Sequence, residues 1–271
     1  LNLLVFAAAA IMDRAAQTRS ASADSTMSVV VTSSTGIPWI LPAVLLSGAV
    51  SFSWEVFWTR LLAPLLGGSV YAFATMLASF LVALAIGSAV ASPLASTREK
   101  ARRGFAIAQV LIAGLSLAAL SVADRLPGIL AGWAGATEAD FSATALSPGL
   151  SGATVLGSNL GYSALLSALV LLPGGLAIGA TFPLAVRILA NNAGEAAAAS
   201  ARVFAWNTVG AIVGALGAGY LLLPTFDFVG TAVVAASASL LLAVFASLAV
   251  EPRRPLLGAV ALASLVTLVA F

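Results

Sequence analysis

The chain contains 271 residues, of which 61% are hydrophobic and 8% are charged, whereas a soluble domain has about 45–50% apolar and about 25% charged residues. This composition excludes a soluble globular protein, because one core of this size cannot bury so much apolar surface, and it predicts an integral membrane protein. Cysteine and histidine are absent and only ten acidic residues are present, so we expect no catalytic residue, no cofactor and no metal in this chain.

The chain is predicted to contain four successive regions. Residues 1–11 are apolar with no basic segment before them, so they are predicted to be the end of a preceding transmembrane helix rather than a signal peptide. Residues 12–36, rich in Ser, Thr and Ala, are predicted to form a cytoplasmic linker. Residues 37–250 are predicted to be a six-helix membrane domain with an outer loop at 124–159. Residues 251–271 are predicted to be a basic loop and a final hydrophobic segment.

The hydrophobic segments predict an all-α, polytopic membrane protein with about seven transmembrane helices plus a partial one. Long apolar runs must be helical in lipid, because an open sheet leaves backbone groups without hydrogen bonds and barrel strands are shorter. The predicted spans are 37–66, 70–95, 104–123, 160–190, 203–223, 229–250 and the shorter segment 256–271.

The basic residues predict the orientation of the helices. When successive loops are placed on alternating sides, ten of the 12 basic residues fall on one side: Arg14, Arg19, Arg98, Lys100, Arg102, Arg103, Arg187, Arg202, Arg253 and Arg254. Arg60 and Arg125 fall on the other side. The positive-inside rule makes the richer side cytoplasmic and favours a bacterial inner membrane. The lipid bilayer is therefore the expected partner, and the net charge of +2 predicts no nucleic-acid binding.

An internal similarity indicates duplication. Residues 1–14 and 240–253 are identical at seven of fourteen aligned positions, and each segment passes from an apolar run into a basic loop. The interpretation is that residues 37–250 form most of a second helical half and that the sequence is a piece of a longer protein.

The first complete span carries the candidate ligand or ion-pair residues, Glu55, Arg60, Trp54 and Trp58. An ionisable group deep in a bilayer is costly and usually faces protein or water. Glu55 and Arg60 lie five residues apart, which is a poor spacing for an ion pair within one helix. Two interpretations stay open: a structural ion pair with an aromatic belt, and a cation site built from the carboxylate and the tryptophan rings.

Two further spans contain prolines or glycines that bear on the path and packing of the helix backbone. The fourth contains a predicted helix break at Pro173, Gly174, Gly175 and Pro183, which is typical either of a midplane binding site or of an ordinary proline kink. In the fifth span, helical spacing places Gly210, Gly214 and Gly217 on one packing face, with Asn207 able to hydrogen-bond across it. A similar stripe of small residues, Ala83, Gly87 and Ala91, lies on the second span.

Four stretches together resemble the membrane region of multi-spanning spermidine-synthase-like proteins. These stretches are residues 54–60 (WEVFWTR), 68–73 (GSVYAF), 179–183 (GATFP) and 202–210 (RVFAWNTVG). The resemblance covers about residues 39–250. It implies a major-facilitator-like half with paired helices, fused in that family to a polyamine aminopropyltransferase-like domain. The chain lacks the strand pattern, glycine-rich loop and acidic loop of that soluble domain, so no catalytic residue carries over.

Three functions follow from these observations. The first is a non-catalytic membrane domain that acts as an anchor or as an assembly subunit, with other membrane subunits or missing parts of its own chain as partners. The second is a transporter-like module for a small, polyamine-like metabolite, with a cavity near Glu55, Asn207 and Pro173. The third is the membrane part of an aminopropyltransferase-type enzyme whose catalytic domain lies outside this chain. The scarcity of intramembrane charge favours the first.

Overall fold

The computed structural model describes residues 38–64, 66, 70–123, 125, 160–190 and 192–248. Within these ranges the regular structure is helical and contains no strand. The α-helices in these ranges are α1 (Ile40–Leu62), α2 (Val70–Leu94), α3 (Arg98–Ala123), α4 (Leu160–Leu189), α5 (Ala196–Leu216) and α6 (Leu223–Leu248). A 3₁₀ turn (Ala193–Glu195) precedes α5, and a π-helical turn (Gly217–Leu222) joins α5 to α6.

Five helical stretches in the described residues are long and apolar enough to cross a membrane. The first four lie in α1 to α4, and the fifth is the continuous run Ala196–Leu248. Even the shortest, the 23-residue α1, is about 35 Å long, which exceeds the hydrocarbon core of about 30 Å. A helix satisfies its own backbone hydrogen bonds, so these apolar sequences can enter lipid only in this form. The prediction of an all-helical fold with helices long and apolar enough to cross a membrane is confirmed for the described residues.

The fifth stretch reverses direction near Asp227. It contains 53 residues, which as a straight helix would measure about 80 Å and far exceed the bilayer. The ring of Phe228 packs edge-on against that of Phe57, whereas the ring of Phe245 packs against that of Trp39. Residue numbers along α6 therefore rise as those along α1 fall, and the two helices are antiparallel.

Two pairs of helices run parallel. In α5, Gly210 lies against Leu45 and Gly214 against Ala49 of α1, so α1 and α5 point the same way. Helices α2 and α4 are also parallel, because Gly175 lies against Ala83 and, further along both helices, Ala95 and Ala190 line one cleft. These directions alternate along the chain as expected for successive membrane crossings, with α5 and α6 forming a hairpin.

The two ends of the helices differ in charge. Arg98 at the start of α3 donates from Nε to the carbonyl of Ile188 (2.8 Å) and from Nη2 to that of Leu189 (3.4 Å). A buried apolar cluster at this end joins Ile40 with Phe105 and with residues of the other described helices. The basic residues of the described ranges at this end, called the basic end below, are Arg98, Lys100, Arg102, Arg103, Arg187 and Arg202. Arg60 and Arg125 lie toward the opposite end, so the charge asymmetry expected from the sequence is present.

Several expectations concern residues outside the described ranges. These are the preceding helix end at 1–11, the linker at 12–36, nearly all of the outer loop at 124–159 and the final segment at 251–271. The count of seven spans and the internal duplication therefore stay predictions. Two helices of the structure begin earlier than predicted: α3 begins at Arg98 rather than at residue 104, and α5 begins at Ala196 rather than at residue 203.

The helix break predicted at Pro173, Gly174, Gly175 and Pro183 is not present. Helix α4 is continuous from Leu160 to Leu189 and includes both prolines. In an apolar environment a broken turn exposes several unpaired backbone groups, whereas a proline within a helix removes only one hydrogen bond, so the helix persists. The glycines provide close packing instead, with Gly174 against Ser116 and Gly175 against Ala83.

The reversal lies at Asp227, within the first turns of α6. The backbone of Asp227 has φ 57° and ψ −164°, a conformation that L-residues rarely adopt. Its Oδ1 accepts a hydrogen bond from the backbone N–H of Gly230 (3.1 Å), and its carbonyl accepts one from Oγ1 of Thr231 (2.6 Å). The carboxylate thus caps the first turn after the reversal.

We expect Asp227→Ala to destabilise the domain by about 0.5–2 kcal/mol, because the cap is lost while the strained backbone conformation is kept. Asp227→Asn keeps an oxygen acceptor and should stay within about 0.5 kcal/mol of the parent. The midpoint of unfolding in detergent micelles measures both effects. Equal midpoints for Asp227→Ala and Asp227→Asn would contradict the capping function.

Candidate functional site

The aromatic residues proposed as a cation site form a packed cluster inside the helices. Trp54 and Phe57 are each 1% exposed and Trp58 is 4% exposed. The rings of Trp54 and Trp58 are stacked, with centroids 6.2 Å apart, and Phe57 meets both edge-on. Trp54 Nε1 is buried without a hydrogen-bond partner. The ring faces are in contact with other rings and side chains, so they are not open to a ligand.

Glu55 lies on the boundary between α1, α2 and α4. Its half-buried side chain lines a cavity with Phe73, Met76, Phe80 and Leu171. The carboxylate forms no ion pair or hydrogen bond within the described residues. The cavity volume is about 10 Å³, about the space that one water molecule requires. A drug-sized or metabolite-sized ligand occupies a pocket of about 300–1,000 Å³, so this cavity is far too small for one.

Arg60 does not pair with Glu55 in the structure. Arg60 is exposed, and its Nη2 lies 3.8 Å from the position that a Cβ atom on Gly219 would take. The side chain therefore lies beside the π-helical turn Gly217–Leu222, away from Glu55. This agrees with the poor spacing noted for an ion pair within one helix, and Glu55 has no ion-pair partner on another helix within the described part of the chain.

Asn207 packs against α1 without the hydrogen bond expected of its side chain. A Cβ atom on Gly48 would lie 2.5 Å from the carbonyl oxygen of Asn207 and 2.8 Å from its Oδ1. The hydrogen bond that crosses this contact comes instead from Ser53, whose Oγ lies 3.2 Å from the carbonyl oxygen of Gly214. Asn207 also lies beside Gly48 rather than Glu55, about 10 Å further along α1, so the structure does not bring Asn207 and Glu55 into one cavity.

The predicted glycine packing is present at three of its four positions. A Cβ atom on Gly87 would overlap the backbone of Leu176, and Cβ atoms on Gly210 and Gly214 would overlap carbonyl oxygens of α1. These glycines allow backbone to touch backbone, as small residues do between membrane helices. Gly217 differs, because a Cβ atom there would meet no heavy atom within 4 Å. It begins the π-helical turn and takes no part in this contact.

One polar group in the interior, the side chain of Gln109, was not predicted from the sequence to make a contact between helices. Gln109 of α3 is fully buried, and its Nε2 donates to Oγ of Ser47 of α1 (2.8 Å). Its Oε1 has no partner, and neither has the buried Oγ of Ser239 on α6. The sequence feature that could have indicated this contact is a glutamine within an otherwise apolar run. The group ties α3 to α1, because an interhelical hydrogen bond satisfies polar atoms that lipid cannot.

The acidic residues of the described ranges do not form a cluster. No group of three or more Asp, Glu, His or Cys residues lies close enough to hold a metal ion in this part of the chain. An ion pair joins Arg103 and Glu99 at 2.6 Å, four residues apart on an exposed helix face. Such a pair contributes little to stability.

Comparison with known proteins does not assign a family. No protein-family model, no curated protein and no solved structure matches the chain. The interpretation of function therefore depends on the geometry of the helices and their side chains.

Proposed function

We propose that the described helices form a non-catalytic integral membrane domain of a spermidine-synthase-like protein. In this proposal the domain anchors its protein in a bacterial inner membrane and serves as an assembly subunit of a larger membrane complex. The observation that carries the proposal is the close packing of the described helices, called the closed interior below. At Gly87, Gly210 and Gly214 the helix backbones touch, and the cavity beside Glu55 has room for about one water molecule.

The closed interior favours an anchor over a transporter for a physical reason. A transporter needs a polar cavity near the bilayer midplane that can hold its substrate and change its access from one side to the other. In this domain the tryptophans pack against other rings, and the prolines of α4 lie within a continuous helix. The tryptophan rings that were candidates to bind a cation are thus used in helix packing.

The resemblance to the spermidine-synthase-like membrane region supports the same interpretation. Two of the matching stretches contribute glycines to helix contacts: Gly179 lies against Leu84 of α2, and Gly210 lies against Leu45 of α1. A third stretch contributes Trp54 to the core. The motif residues therefore act in packing, which is what a structural membrane domain requires of them.

One observation favours the transporter as a second candidate. Glu55 is half-buried in a membrane helix and has no partner in the described residues, although an intramembrane carboxylate is costly and often functional. In this candidate, α2 would separate from α4 and open the cavity at Glu55 to a polyamine-like cation. The third candidate, the membrane part of an aminopropyltransferase-type enzyme, is compatible with anchoring.

The experiment compares membrane retention with transport. We expect the protein to stay in the membrane pellet after alkaline carbonate extraction. Proteoliposomes that contain it should take up labelled spermidine no faster than protein-free liposomes. Glu55→Gln and Asn207→Ala should leave both results unchanged. Saturable uptake that Glu55→Gln abolishes would overturn the proposal in favour of the transporter, and release by carbonate would overturn anchoring.

A further inference from the structure

An open cleft lies at the basic end, between the last turns of α2, the last turns of α4 and the first turns of α5. Its volume is about 610 Å³, within the range of about 300–1,000 Å³ that is typical of ligand sites. The cleft is separate from the small cavity at Glu55, which lies between α1, α2 and α4 nearer the opposite end. We call it the basic-end cleft.

The polar lining of the basic-end cleft consists of one arginine, three serines and Asn192, all of which can donate hydrogen bonds. Arg187 contributes a half-buried guanidinium, of which Nη1 donates to the carbonyl of Ala190 (3.3 Å), so other N–H groups stay available. Ser88 and Ser200 line the cleft, and neither hydroxyl has a hydrogen-bond partner in the described residues. Ser92 also lines it, but its hydroxyl donates to the carbonyl of Ser88 (2.8 Å).

The apolar lining adds a second feature. Phe182, Pro183 and Val186 of α4 border the same space as Arg187, and Phe182 is exposed. A ligand that fills the cleft thus meets a cation and hydroxyl groups on one side and apolar surface on the other. This combination suits an amphiphile whose charged group is an anion.

The local charge favours an anion over a cation. No carboxylate is among the residues that line the cleft. The carboxylate of the exposed Glu195 lies beside the cleft, where its Oε1 accepts a hydrogen bond from Nδ2 of the lining residue Asn192 (3.3 Å). The negative end of the α4 dipole would normally repel an anion. Arg98 offsets it, because its guanidinium donates to the terminal carbonyls of Ile188 and Leu189.

We propose that the basic-end cleft binds a phosphate group, with Arg187 as its main ligand and the hydroxyls of Ser88 and Ser200 as additional donors. Arginine is suited to this function, because its planar guanidinium binds phosphate oxygens through paired hydrogen bonds. The phosphate comes either from an anionic phospholipid, which the apolar lining accommodates, or from a soluble phosphate. This site is independent of whether the domain anchors or transports.

The test measures binding to the purified full chain in detergent at constant ionic strength, by titration calorimetry. The probes are dioctanoyl phosphatidylglycerol, inorganic phosphate and, as a phosphate-free amphiphile, dioctanoylglycerol. We expect at least one phosphate probe to bind and dioctanoylglycerol not to bind. Arg187→Gln should raise Kd by about tenfold or more, which is about 1.4 kcal/mol, and Arg187→Lys should raise it less.

Arg202→Gln is the matched control, because Arg202 is an exposed arginine at the same end that does not line the cleft. It should change Kd by less than about twofold, since the charge that is lost is exposed to solvent and screened by salt. Ser200→Leu, which fills the cleft without changing charge, is the second variant if Arg187→Gln does not fold, and it should also raise Kd. Binding of phosphatidylglycerol that inorganic phosphate does not displace assigns the site to a lipid headgroup. Binding of inorganic phosphate alone assigns it to a soluble ligand.

Three results would overturn the proposal that the basic-end cleft binds phosphate. The first is that neither phosphate probe binds. The second is equal weakening by Arg187→Gln and Arg202→Gln, which indicates a diffuse charge effect rather than a cleft. The third is equal affinity for dioctanoylglycerol and phosphatidylglycerol, which indicates apolar association without phosphate recognition.

Discussion

Gly214→Ala should destabilise the domain by about 1–3 kcal/mol, the usual cost of adding volume to a well-packed contact. The added Cβ atom would overlap the carbonyl oxygen of Ala49, and a backbone carbonyl cannot turn away as a flexible side chain can. The α1 and α5 backbones must therefore separate, which also weakens the hydrogen bond from Ser53 to Gly214. The midpoint of unfolding in a titration from mild detergent into dodecyl sulfate measures the effect.

Gly114→Ala is the control for this change. Gly114 lies in α3, and a Cβ atom there would meet no heavy atom within 4 Å. Alanine is the better helix former by up to about 1 kcal/mol, so this variant should be neutral or more stable than the parent. If Gly214→Ala and Gly114→Ala shift the midpoint in the same direction and by the same amount, the close backbone contact is not present in the folded protein.

Trp54→Ala should cost about 3–5 kcal/mol, as is usual when a large buried aromatic residue is truncated. Trp54 is 1% exposed and stacks on Trp58, so its removal leaves a cavity among side chains that cannot all move into the space. Trp54→Phe retains most of the packing and should cost less than about 1.5 kcal/mol. The same unfolding titration compares the two variants.

Phe52→Ala is the matched control for Trp54→Ala, because Phe52 lies on the same helix and is 36% exposed. We expect a change within about 0.5 kcal/mol, the usual range for an exposed position. A Trp54→Ala variant that retains full stability would indicate an exposed ring and would revive the cation site considered from the sequence.

The local sequence pattern was sufficient to predict the class of fold and the packing face of α5. Apolar runs and helical spacing are properties of one segment, so the sequence predicted membrane helices and the contacts of Gly87, Gly210 and Gly214. Gly217 has the same spacing, but it lies where the π-helical turn Gly217–Leu222 begins. The extra residue in that turn changes the face that follows, and no sequence signal indicated it.

The candidate site could not be predicted because it depends on contacts between helices. The sequence placed Trp54, Glu55 and Trp58 near one another but did not indicate that the rings would pack against each other. It also assigned the hydrogen bond across the α1–α5 contact to Asn207, whereas Ser53 makes it. Arg187 was counted only as a topology signal. Its place in a cleft with Ser88 and Ser200 depends on how α2, α4 and α5 converge.

Thiol labelling tests the closed interior most directly. The chain has no cysteine, so each introduced cysteine is the only reactive thiol. Ser47→Cys and Ser239→Cys replace buried side chains that are 3% and 0% exposed. Thr97→Cys and Thr225→Cys are exposed controls at the basic end and at the opposite end, and each should react from one side only in sealed vesicles.

The result predicted for a packed, non-transporting domain is that neither Ser47→Cys nor Ser239→Cys reacts with a membrane-impermeant maleimide from either side. Both should react fully once the protein is denatured in dodecyl sulfate. Labelling of either interior cysteine in native vesicles from both sides would show that the interior opens alternately to each side of the membrane. That result would contradict the closed interior and favour the transporter.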